Sequence, residues 1–600
     1  MTTAWQRAKW LILPTMALGC ANTAPTASSG GVAIIFAALE GACSTTWNGT
    51  GTLPSGSADA VEHLTLQWSE ADTGKSATAR VNAIDLVSNG IWNVGAVPVS
   101  QQLRLQVYAC TADNRVVWYG KGSDFVIQEG EDTTARVFMT PPGKLACTGN
   151  NGVGGALQSS RALSGGASLA SGDAIVVGGA DKWDGTVAKA SVATDLYDAK
   201  LGTWRAGPPL LAPRIWPQVL VLDRTHVLVA GGEAFLNRLQ VSLPIALFAP
   251  DDLSDAALAH PAAEIIDMQA VPPTTVDAKA DLRSGARPFA SAVVAGDAIV
   301  FAGGLGADGK GLATGARLSK LADILSQTAG KGVDLTLATA RIQPGLLSYA
   351  DGTVVVWGGH TSGKTSEFGE LIASSGTSGT LLHVSGDAIL ADPNAQTIGA
   401  TSVLLSEQGD ILTFFVTGGI PVNAGSATGT PSYVVIVDRG AAKTAVCKKV
   451  VMSDGSLLPG GIGIAATRLD GDYLLVSGGL LSLGKVVPAS ADPASACQKD
   501  EQTKNGCMVN GFVLLHVPAD LTTAQVTMTP VPVDTLAAVT PGFGQIALPL
   551  PVGALLAGGL TNVGPSSVSL PVTATQPFDA TSQIVSAPFL QAASEAACKL

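Results

Sequence analysis

Short apolar runs that end in a pair of glycines recur along most of this chain. The first, AIVVGGA, spans Ala174 to Ala180 and follows the turn Gly172-Asp173. Its apolar positions are mostly β-branched, which is typical of a strand closed by a tight turn. Six further runs end in the same way, and the seven doublets are Gly178-Gly179, Gly231-Gly232, Gly303-Gly304, Gly358-Gly359, Gly418-Gly419, Gly478-Gly479 and Gly558-Gly559.

Each doublet is preceded by a second apolar run and a short turn that contains Gly or Asp. An apolar run, a tight turn and another apolar run predict a β-hairpin. Between successive second glycines the intervals are 53, 72, 55, 60, 60 and 80 residues. A self-similar period of about 50 residues, lengthened by insertions, indicates a repeat protein. We number the repeats units one to seven after their doublets.

The glycines themselves carry a structural prediction. A doublet that closes a strand indicates a positive φ, or a backbone approach that a Cβ atom would block. The chain has 70 glycines. Even so, seven doublets that each close the second strand of a predicted hairpin are hard to explain by chance.

One stretch carries a resemblance to a known family. From the first doublet to the second, the chain passes through Tyr197-Asp198, Trp204 and Arg214. This order of double glycine, Tyr, Trp and Arg resembles the kelch repeat of β-propellers. The resemblance covers roughly residues 150 to 595, and similarly placed arginines are Arg161, Arg287 and Arg341. The later units lack a matching arginine, and the Tyr/Trp pair is clear only once.

The resemblance implies an all-β fold, a seven-bladed kelch-type β-propeller over residues 156–595. Each blade needs two outer strands after the doublet. It implies no particular function, because kelch propellers serve enzymes, adaptors and surface proteins alike. We place outer strands at Ala193–Tyr197 and Thr203–Ala206 in unit one, Tyr433–Asp438 and Thr444–Met452 in unit five, Phe512–Val517 and Gln525–Pro530 in unit six, and Val572–Pro577 and Gln583–Ala587 in unit seven.

A different, period-two pattern precedes the repeats, over residues 31–145. Leu103, Leu105 and Val107, for example, alternate with polar or aromatic neighbours. Six or seven such strands in about 110 residues predict a small two-sheet β-sandwich. The segment resembles the immunoglobulin-like or transthyretin-like modules of bacterial surface proteins, and residues 146–155 are predicted as a linker. The strand candidates are Val32–Leu39, Val61–Ser69, Ala77–Ile84, Gln102–Cys110, Val116–Gly120, Asp124–Gln128 and Thr133–Met139.

The first twenty residues are predicted to be a targeting signal. Arg7 and Lys9 precede a short apolar stretch that is too short to remain as a membrane span. The following Ala-Leu-Gly-Cys20 resembles the bacterial lipobox, which implies lipidation of Cys20 and an outer-membrane lipoprotein. The alternative is an ordinary secretory signal cut a few residues later. Residues 21–30 are small and polar, and are predicted to form a flexible tether.

Charge excludes one class of partner. The net charge is -12, and no basic stripe exists. Because nucleic acids are bound by clustered Lys and Arg, we expect no nucleic-acid partner. The partners expected are a membrane, through the lipid anchor, and a protein or glycan ligand.

Cysteine usage favours an oxidising compartment. With Cys20 lipidated, seven of the eight cysteines remain. Cys497 and Cys507 bracket one insertion and are expected to pair; Cys43 with Cys110, and Cys147 with Cys598, are further candidate disulfides. Cys447 is the candidate odd thiol. The sequence alone leaves this connectivity open.

Catalytic motifs are absent from the sequence. The six histidines form no ligand-spaced pair, and there is neither a G-x-S-x-G element nor a P-loop. His63 is expected to be a surface or packed residue, and no metal or cofactor is expected. The acidic turn from Asp181 to Gly185 is either an ordinary loop or a contact for a cation or sugar.

Insertions after the doublets are the candidate recognition elements, because loops on a rigid scaffold carry most binding functions. The expectation is therefore a non-enzymatic, lipid-anchored envelope protein that binds a partner through these rim loops. The alternatives are a degenerate carbohydrate-active or copper-oxidase-like propeller, and an envelope scaffold without a specific ligand. The insertions are Glu233–Ala262, Ile420–Pro431 and Leu480–Asn510.

Overall fold

The structure is a computed structural model of the chain. It describes residues 29–38, 61–70, 76–82, 91–98, 100–128, 132–149, 155–183, 187–232, 235–237, 263–277, 289–306, 311–319, 332–359, 368–386, 398–420, 432–440, 442–453, 458, 462–469, 472–480, 484–488, 506–510, 512–535, 544–559, 582–585 and 591–599. Within these ranges the fold is all-β, with strands β1 to β42 and one C-terminal helix. No helix in this part of the chain is long and apolar enough to cross a membrane.

Seven N-terminal strands form one sheet in the order β3-β2-β5-β6-β7-β1-β4. β1 pairs with β7 in parallel and with β4 in antiparallel orientation. β4 was not expected from the sequence, and β6 runs through two predicted strands as one. The bounds are β1 (Ser29–Ala38), β2 (His63–Glu70), β3 (Ser76–Asn82), β4 (Ile91–Pro98), β5 (Ser100–Cys110), β6 (Val116–Ile127) and β7 (Asp132–Thr140).

This sheet encloses a hydrophobic core of its own. Ile34 of β1, Leu64 of β2, Leu103 of β5, Trp118 of β6 and Val137 of β7 are buried together. They occupy the inward positions of the period-two pattern, since alternate side chains of a strand point to opposite faces. The burial of these apolar side chains is the main stabilising contribution in this part of the chain.

The next strands cover units one and two and begin with a short strand before the repeats. They are β8 (Lys144–Cys147), β9 (Gly165–Ser168), β10 (Ala174–Val177), β11 (Ala180–Trp183), β12 (Val187–Ala190), β13 (Thr194–Asp198), β14 (Thr203–Ala206), β15 (Gln218–Val221), β16 (His226–Ala230), β17 (Phe235–Asn237), β18 (Ala263–Asp267) and β19 (Thr274–Asp277).

Units three to five follow. Their strands are β20 (Ser291–Ala295), β21 (Ala298–Ala302), β22 (Leu312–Ser319), β23 (Val333–Arg341), β24 (Gly345–Ser348), β25 (Val354–Trp357), β26 (Gly369–Ile372), β27 (Gly379–Leu381), β28 (His383–Gly386), β29 (Ile398–Gln408), β30 (Ile411–Ile420), β31 (Tyr433–Asp438) and β32 (Thr444–Met452).

Units six and seven and the helix complete the chain. They contain β33 (Ile462–Leu469), β34 (Tyr473–Leu480), β35 (Gly484–Pro488), β36 (Gly506–Asn510), β37 (Phe512–His516), β38 (Val526–Val531), β39 (Asp534–Thr535), β40 (Ile546–Leu550), β41 (Gly553–Ala557), β42 (Ser582–Val585) and α1 (Gln591–Lys599).

Every unit contains the predicted hairpin. Units one to four each form a four-stranded antiparallel sheet: β9-β10-β13-β14, β15-β16-β18-β19, β20-β21-β22-β23 and β24-β25-β26-β27. Units five and six, β29-β30-β31-β32 and β33-β34-β37-β38, are joined by parallel pairing of β32 with β38. The predicted outer strands of units one, five and six are confirmed to within two residues.

The first strands of the units lie side by side in a cycle. β9 contacts β15, β15 contacts β20, and so on through β24, β29, β33 and β40, which contacts β9 again. Neighbouring units bury apolar side chains between them: Ile175 and Val177 of unit one, for example, share a core with Val227 and Val229 of unit two. The arrangement is propeller-like, since no single hairpin covers its own apolar faces.

The sheet of unit seven is completed by the N-terminal part of the chain. β42 pairs with β41 and, on its other side, with β8, so that the order is β39-β8-β42-β41-β40. The predicted outer strand Gln583–Ala587 is present as β42, but it is the third strand of the unit, and β8 takes the fourth place. The other predicted outer strand, Val572–Pro577, lies outside the described residues. The predicted linker, residues 146–155, also begins inside β8, which ends at Cys147. Leu145 of β8 is fully buried in the core shared with unit seven.

The C-terminal helix returns to the N-terminal sheet. Cys598 of α1 forms a disulfide with Cys110 of β5, and Ala597 packs beside Val116. The proposed pairings Cys43–Cys110 and Cys147–Cys598 are therefore wrong: α1 carries Cys598 away from the repeats to Cys110. Cys447 is a buried thiol outside any disulfide of the described residues, as expected. Cys20, Cys43 and Cys497 lie outside the described residues, so lipidation and the Cys497–Cys507 pairing stay predictions.

Candidate functional site

The glycine doublets mark one end of the units, and all fourteen glycines have left-handed backbones. Their φ angles lie between 60° and 114°. Antiparallel pairing places the end of each second strand beside the start of each first strand. The insertions also leave the units here. We call this the doublet end, and the predicted φ of the doublets is confirmed.

Neighbouring units meet at the doublets. In units one, three and seven the second glycine donates its N–H to the carbonyl oxygen of an arginine in the following unit, with N–O distances of 2.7 to 2.9 Å; the pairs are Gly179 with Arg214, Gly304 with Arg341 and Gly559 with Arg161. A Cβ on the first glycine would lie 2.4 to 2.6 Å from the same oxygens. The doublet is thus required by contact between units as well as by φ.

The side chains of these arginines are buried against carboxylates of their own unit. Arg214 Nε lies 2.9 Å from Glu264 Oε1, and Arg341 Nε lies 2.7 Å from Glu370 Oε1. Arg161 contacts Asp195 in the same way. A guanidinium that is fully removed from water needs such a partner, because an unpaired buried charge is strongly destabilising.

The three ion pairs occupy one register in the repeat. Asp195, Glu264 and Glu370 stand on the third strand, opposite the residue two positions before the doublet. Each carboxylate also accepts an N–H from the residue three positions before its arginine. Burial raises the pKa of Asp195, and the charge of Arg161 opposes that shift. These charges are used within the fold, and the acidic partners were not among the residues singled out from the sequence.

A second repeated position lies at the doublet end. In every unit, one residue of the first strand pairs with the residue just before the doublet. The residue two positions before it adopts φ between 48° and 71°. We call these seven residues the left-handed ring: Leu163, Trp216, Phe289, Gln343, Gly399, Gly463 and Gly544.

Backbone hydrogen bonds connect the ring from unit to unit. The N–H of one ring residue donates to the carbonyl oxygen of the ring residue in the preceding unit, as in Leu163 to Gly544 at 2.8 Å and Trp216 to Leu163 at 2.6 Å. Gln343 donates to Phe289 at 2.8 Å in the same way. Glycine adopts this φ without cost, whereas a bulky residue there costs on the order of 1–3 kcal/mol.

Side chains of the ring contact one another. The Trp216 and Phe289 rings are 6.2 Å apart, edge to face. Leu163 covers Gly544, where a Cβ would lie 2.6 Å from Leu163 Cδ2. Trp216 and Gln343 are partly exposed. The Gln343 Oε1 atom is enclosed and has no hydrogen-bond partner among the described residues.

Insertion strands extend the doublet end. β11 and β12 of unit one form a three-stranded sheet with β17, which lies in the Glu233–Ala262 insertion of unit two. β35 and β36, from the Leu480–Asn510 insertion, pair with each other, and β36 also pairs with β34. Most of both insertions, and residues 421–431 of the third, lie outside the described residues.

The kelch-like aromatic pair serves packing. Tyr197 and Trp204 face each other across β13 and β14 with centroids 5.2 Å apart, and both contact the core that includes Phe138 of β7. Burial raises the pKa of Tyr197 well above its ordinary value. The pair joins unit one to the N-terminal sheet, so we do not place it in the candidate site.

A charged cluster lies at the opposite end, between the hairpin turns of units four and five. Arg439 contacts Asp351 at 2.6 Å and Asp410 at 2.9 Å, and its guanidinium lies 4.3 Å from the Tyr349 ring centroid. The pKa of Asp351 is lowered, chiefly by the N–H of Thr353, with Arg439 contributing. The contacts join two units.

The histidines that the structure describes lie in different parts of the fold. His226 begins β16, His516 ends β37, and His63 is packed under α1. His260 and His360 lie outside the described residues. Within the ranges that the structure covers, no group of three His, Cys, Asp or Glu side chains is placed to hold a metal ion.

Comparison with known proteins gives a structural likeness only. No family model and no curated protein sequence matches this chain. A solved structure titled "Structure of YjhT" superposes with a TM-score of 0.37 and 14% sequence identity, over 63% of this chain and 97% of that one.

Proposed function

We propose that this chain is a lipid-anchored protein of the bacterial cell envelope that binds a protein or glycan partner and catalyses no reaction. Residues 156–595 would form a seven-bladed kelch-type β-propeller, and residues 31–145 a β-sandwich that separates it from the membrane. The lipobox-like sequence at Cys20 supports the anchor, and the kelch-like residues of unit one support the propeller.

The observation that carries the binding role is the concentration of insertions at the doublet end. Insertion strands of units one, two and six are all attached there, beside the left-handed ring. Ligand sites on repeat rings are typically built from such loops on a rigid scaffold. The buried charges of this end are neutralised within units one, two and four, which favours recognition over acid–base chemistry.

The test is retrieval of the partner from cell envelopes. The full chain, with an affinity tag, is compared with one variant in which residues 233–262 are replaced by a short Gly-Ser linker and another in which residues 481–510 are replaced. A third variant, with the exposed Val271 at the opposite end changed to Ala, serves as control.

We expect a partner that the full chain and the Val271→Ala control recover, and that at least one insertion variant loses. The thermal unfolding midpoint of each variant verifies that the seven units remain folded. Equal recovery of every envelope component by all four proteins would count against a recognition role for the insertions.

A further inference from the structure

The left-handed ring has glycine in three units and a larger residue in the other four. Gly399, Gly463 and Gly544 occupy the position in units five to seven, and the ring needs no side chain there. Units one to four carry Leu163, Trp216, Phe289 and Gln343 at the same φ, where L side chains are strained. Strain that backbone closure does not require is commonly found at functional sites.

Two of the four side chains are partly exposed, and two are buried. Leu163 and Phe289 are buried, with exposed fractions of 5% and 7%, and support their neighbours. Trp216 is partly exposed and held edge to face by Phe289. Gln343 directs a carboxamide oxygen into an enclosed position where it accepts no hydrogen bond from the described residues. A buried acceptor without a donor is costly, so a ligand that offers the Gln343 carboxamide a donor outside this position would be favoured.

The chemistry of the ring favours a neutral sugar over a peptide. All seven ring residues are uncharged. The backbone N–H groups of Trp216 and Gln343 are already used within the ring, so an extended peptide would find no backbone partner on them. An aromatic face beside one carboxamide is suited to the C–H face and the hydroxyl donor of a pyranose.

We propose that Trp216 and Gln343 form a subsite for one neutral pyranose unit of a glycan, with Phe289 between them and the glycine half of the ring leaving room for the rest of the chain. The inference rests on the proposed binding function and names the ligand class at the doublet end. Trp216 would stack on the sugar ring, and the partly exposed Gln343 carboxamide would turn outward so that Oε1 accepts a hydrogen bond from a sugar hydroxyl.

The test uses the full chain and three neutral oligosaccharides, chitotetraose, cellotetraose and maltotetraose, in calorimetric titrations. We expect one of them to bind, and Trp216→Gly and Gln343→Gly to weaken that binding at least tenfold. Because glycine is the preferred residue at this φ, the thermal midpoint should stay within a few degrees of the unaltered protein. Gln343→Asn, which tolerates the same φ, is a second variant that shortens the carboxamide and should also weaken binding.

Leu381→Ala is the matched control, since it removes an exposed apolar side chain from β27, away from the ring. It should leave sugar affinity unchanged. The proposal is overturned if none of the three sugars binds, or if the bound sugar has equal affinity for the Trp216 and Gln343 variants. It is also overturned if these variants bind no less sugar but lose a protein partner, which would assign the ring to a peptide.

Failure here is distinguishable from failure of the proposed function. If the insertion variants lose the envelope partner while the Trp216 and Gln343 variants keep it, the insertions carry recognition and the left-handed ring does not. If the Trp216 and Gln343 variants lose sugar binding while the insertion variants keep every partner, the left-handed ring binds its ligand without help from the insertions.

Discussion

At Gly303 two physical constraints act on one residue. Its φ is 70°, and a Cβ would lie 2.6 Å from the carbonyl oxygen of Arg341 in the next unit. The first constraint is local and is visible in the sequence as a glycine after an apolar run. The second depends on a neighbour that the sequence does not place. Gly409 lies in the turn between β29 and β30 and has φ 60°, but a Cβ added there would meet no atom of the described residues within 4 Å beyond its chain neighbours. It therefore isolates the first constraint.

We therefore expect Gly303→Ala to destabilise the protein more than Gly409→Ala. The turn substitution should cost about 1 kcal/mol, the φ penalty alone. The doublet substitution should cost roughly 2–4 kcal/mol, because the backbone of two units must also move apart. Thermal unfolding midpoints of both variants and the unaltered chain measure the difference. Equal losses of stability in the two variants would mean that the backbone near Arg341 moves away from the new Cβ without a free-energy cost.

Residues that meet only through the fold could not be found from the sequence. The arginine-to-carboxylate separations are 34, 50 and 29 residues for Arg161, Arg214 and Arg341. They differ because insertions lie between the partners, so no fixed spacing marks Asp195 or Glu264 as members of a site. A search for acids on the predicted third strands would have been the available signal.

Elements with local patterns were predicted well. Both outer strands of unit five, Tyr433–Asp438 and Thr444–Met452, have the bounds that alternation of apolar residues indicated. The place of β8 in unit seven was missed, because its pairing with β42 joins distant parts of the chain and no turn connects the two strands. The left-handed ring was missed for a related reason: Trp216 and Gln343 show no shared residue type, and only their backbone angles are alike.

Helix α1 is held by a histidine whose charge state can be inferred from its neighbours. Arg80 Nη2 donates to His63 Nδ1 at 3.1 Å, which leaves the proton on Nε2, 3.1 Å from the carbonyl oxygen of Cys598. Burial lowers the pKa of His63 below its model-peptide value of 6.5. A folded pKa below the unfolded one means that this contribution to stability is present above pH 6.5 and declines as the pH falls.

We expect the amides of α1 to exchange faster at pH 5 than at pH 7.5, after correction for intrinsic exchange rates. The His63→Gln variant can donate the same hydrogen bond without titrating, and should lose this dependence. Hydrogen exchange followed by mass spectrometry of the C-terminal peptide makes the measurement. The same pH dependence in both proteins would show that His63 does not control the docking of α1.

For the molecule as a whole, two connections between early and late parts of the chain close the structure. β8 supplies the fourth strand of unit seven, and α1 returns to β5 through a disulfide that spans 488 residues of sequence. Both connections link the N-terminal sheet to the last unit. Opening either one should therefore weaken unit seven before the others.

The disulfide can be tested by reduction and by the paired substitution Cys110→Ser with Cys598→Ser. A cross-link across so long a stretch restricts the unfolded chain, and its loss should cost about 3–5 kcal/mol. We expect a lower thermal midpoint, with loss of exchange protection starting at residues 582–585. Unchanged midpoints after verified reduction would show that the strand pairing of β8 suffices for closure.

The position of β8 has a consequence for synthesis. A ribosome completes Lys144–Cys147 before any unit and Ser582–Val585 after nearly all of them, so the nascent chain carries an edge strand with no partner for most of its translation. We expect a prematurely terminated product to keep that strand exposed and to be degraded as incomplete. Only a chain translated beyond Val585 can pair β8 with β42, so the sheet of unit seven forms late in synthesis.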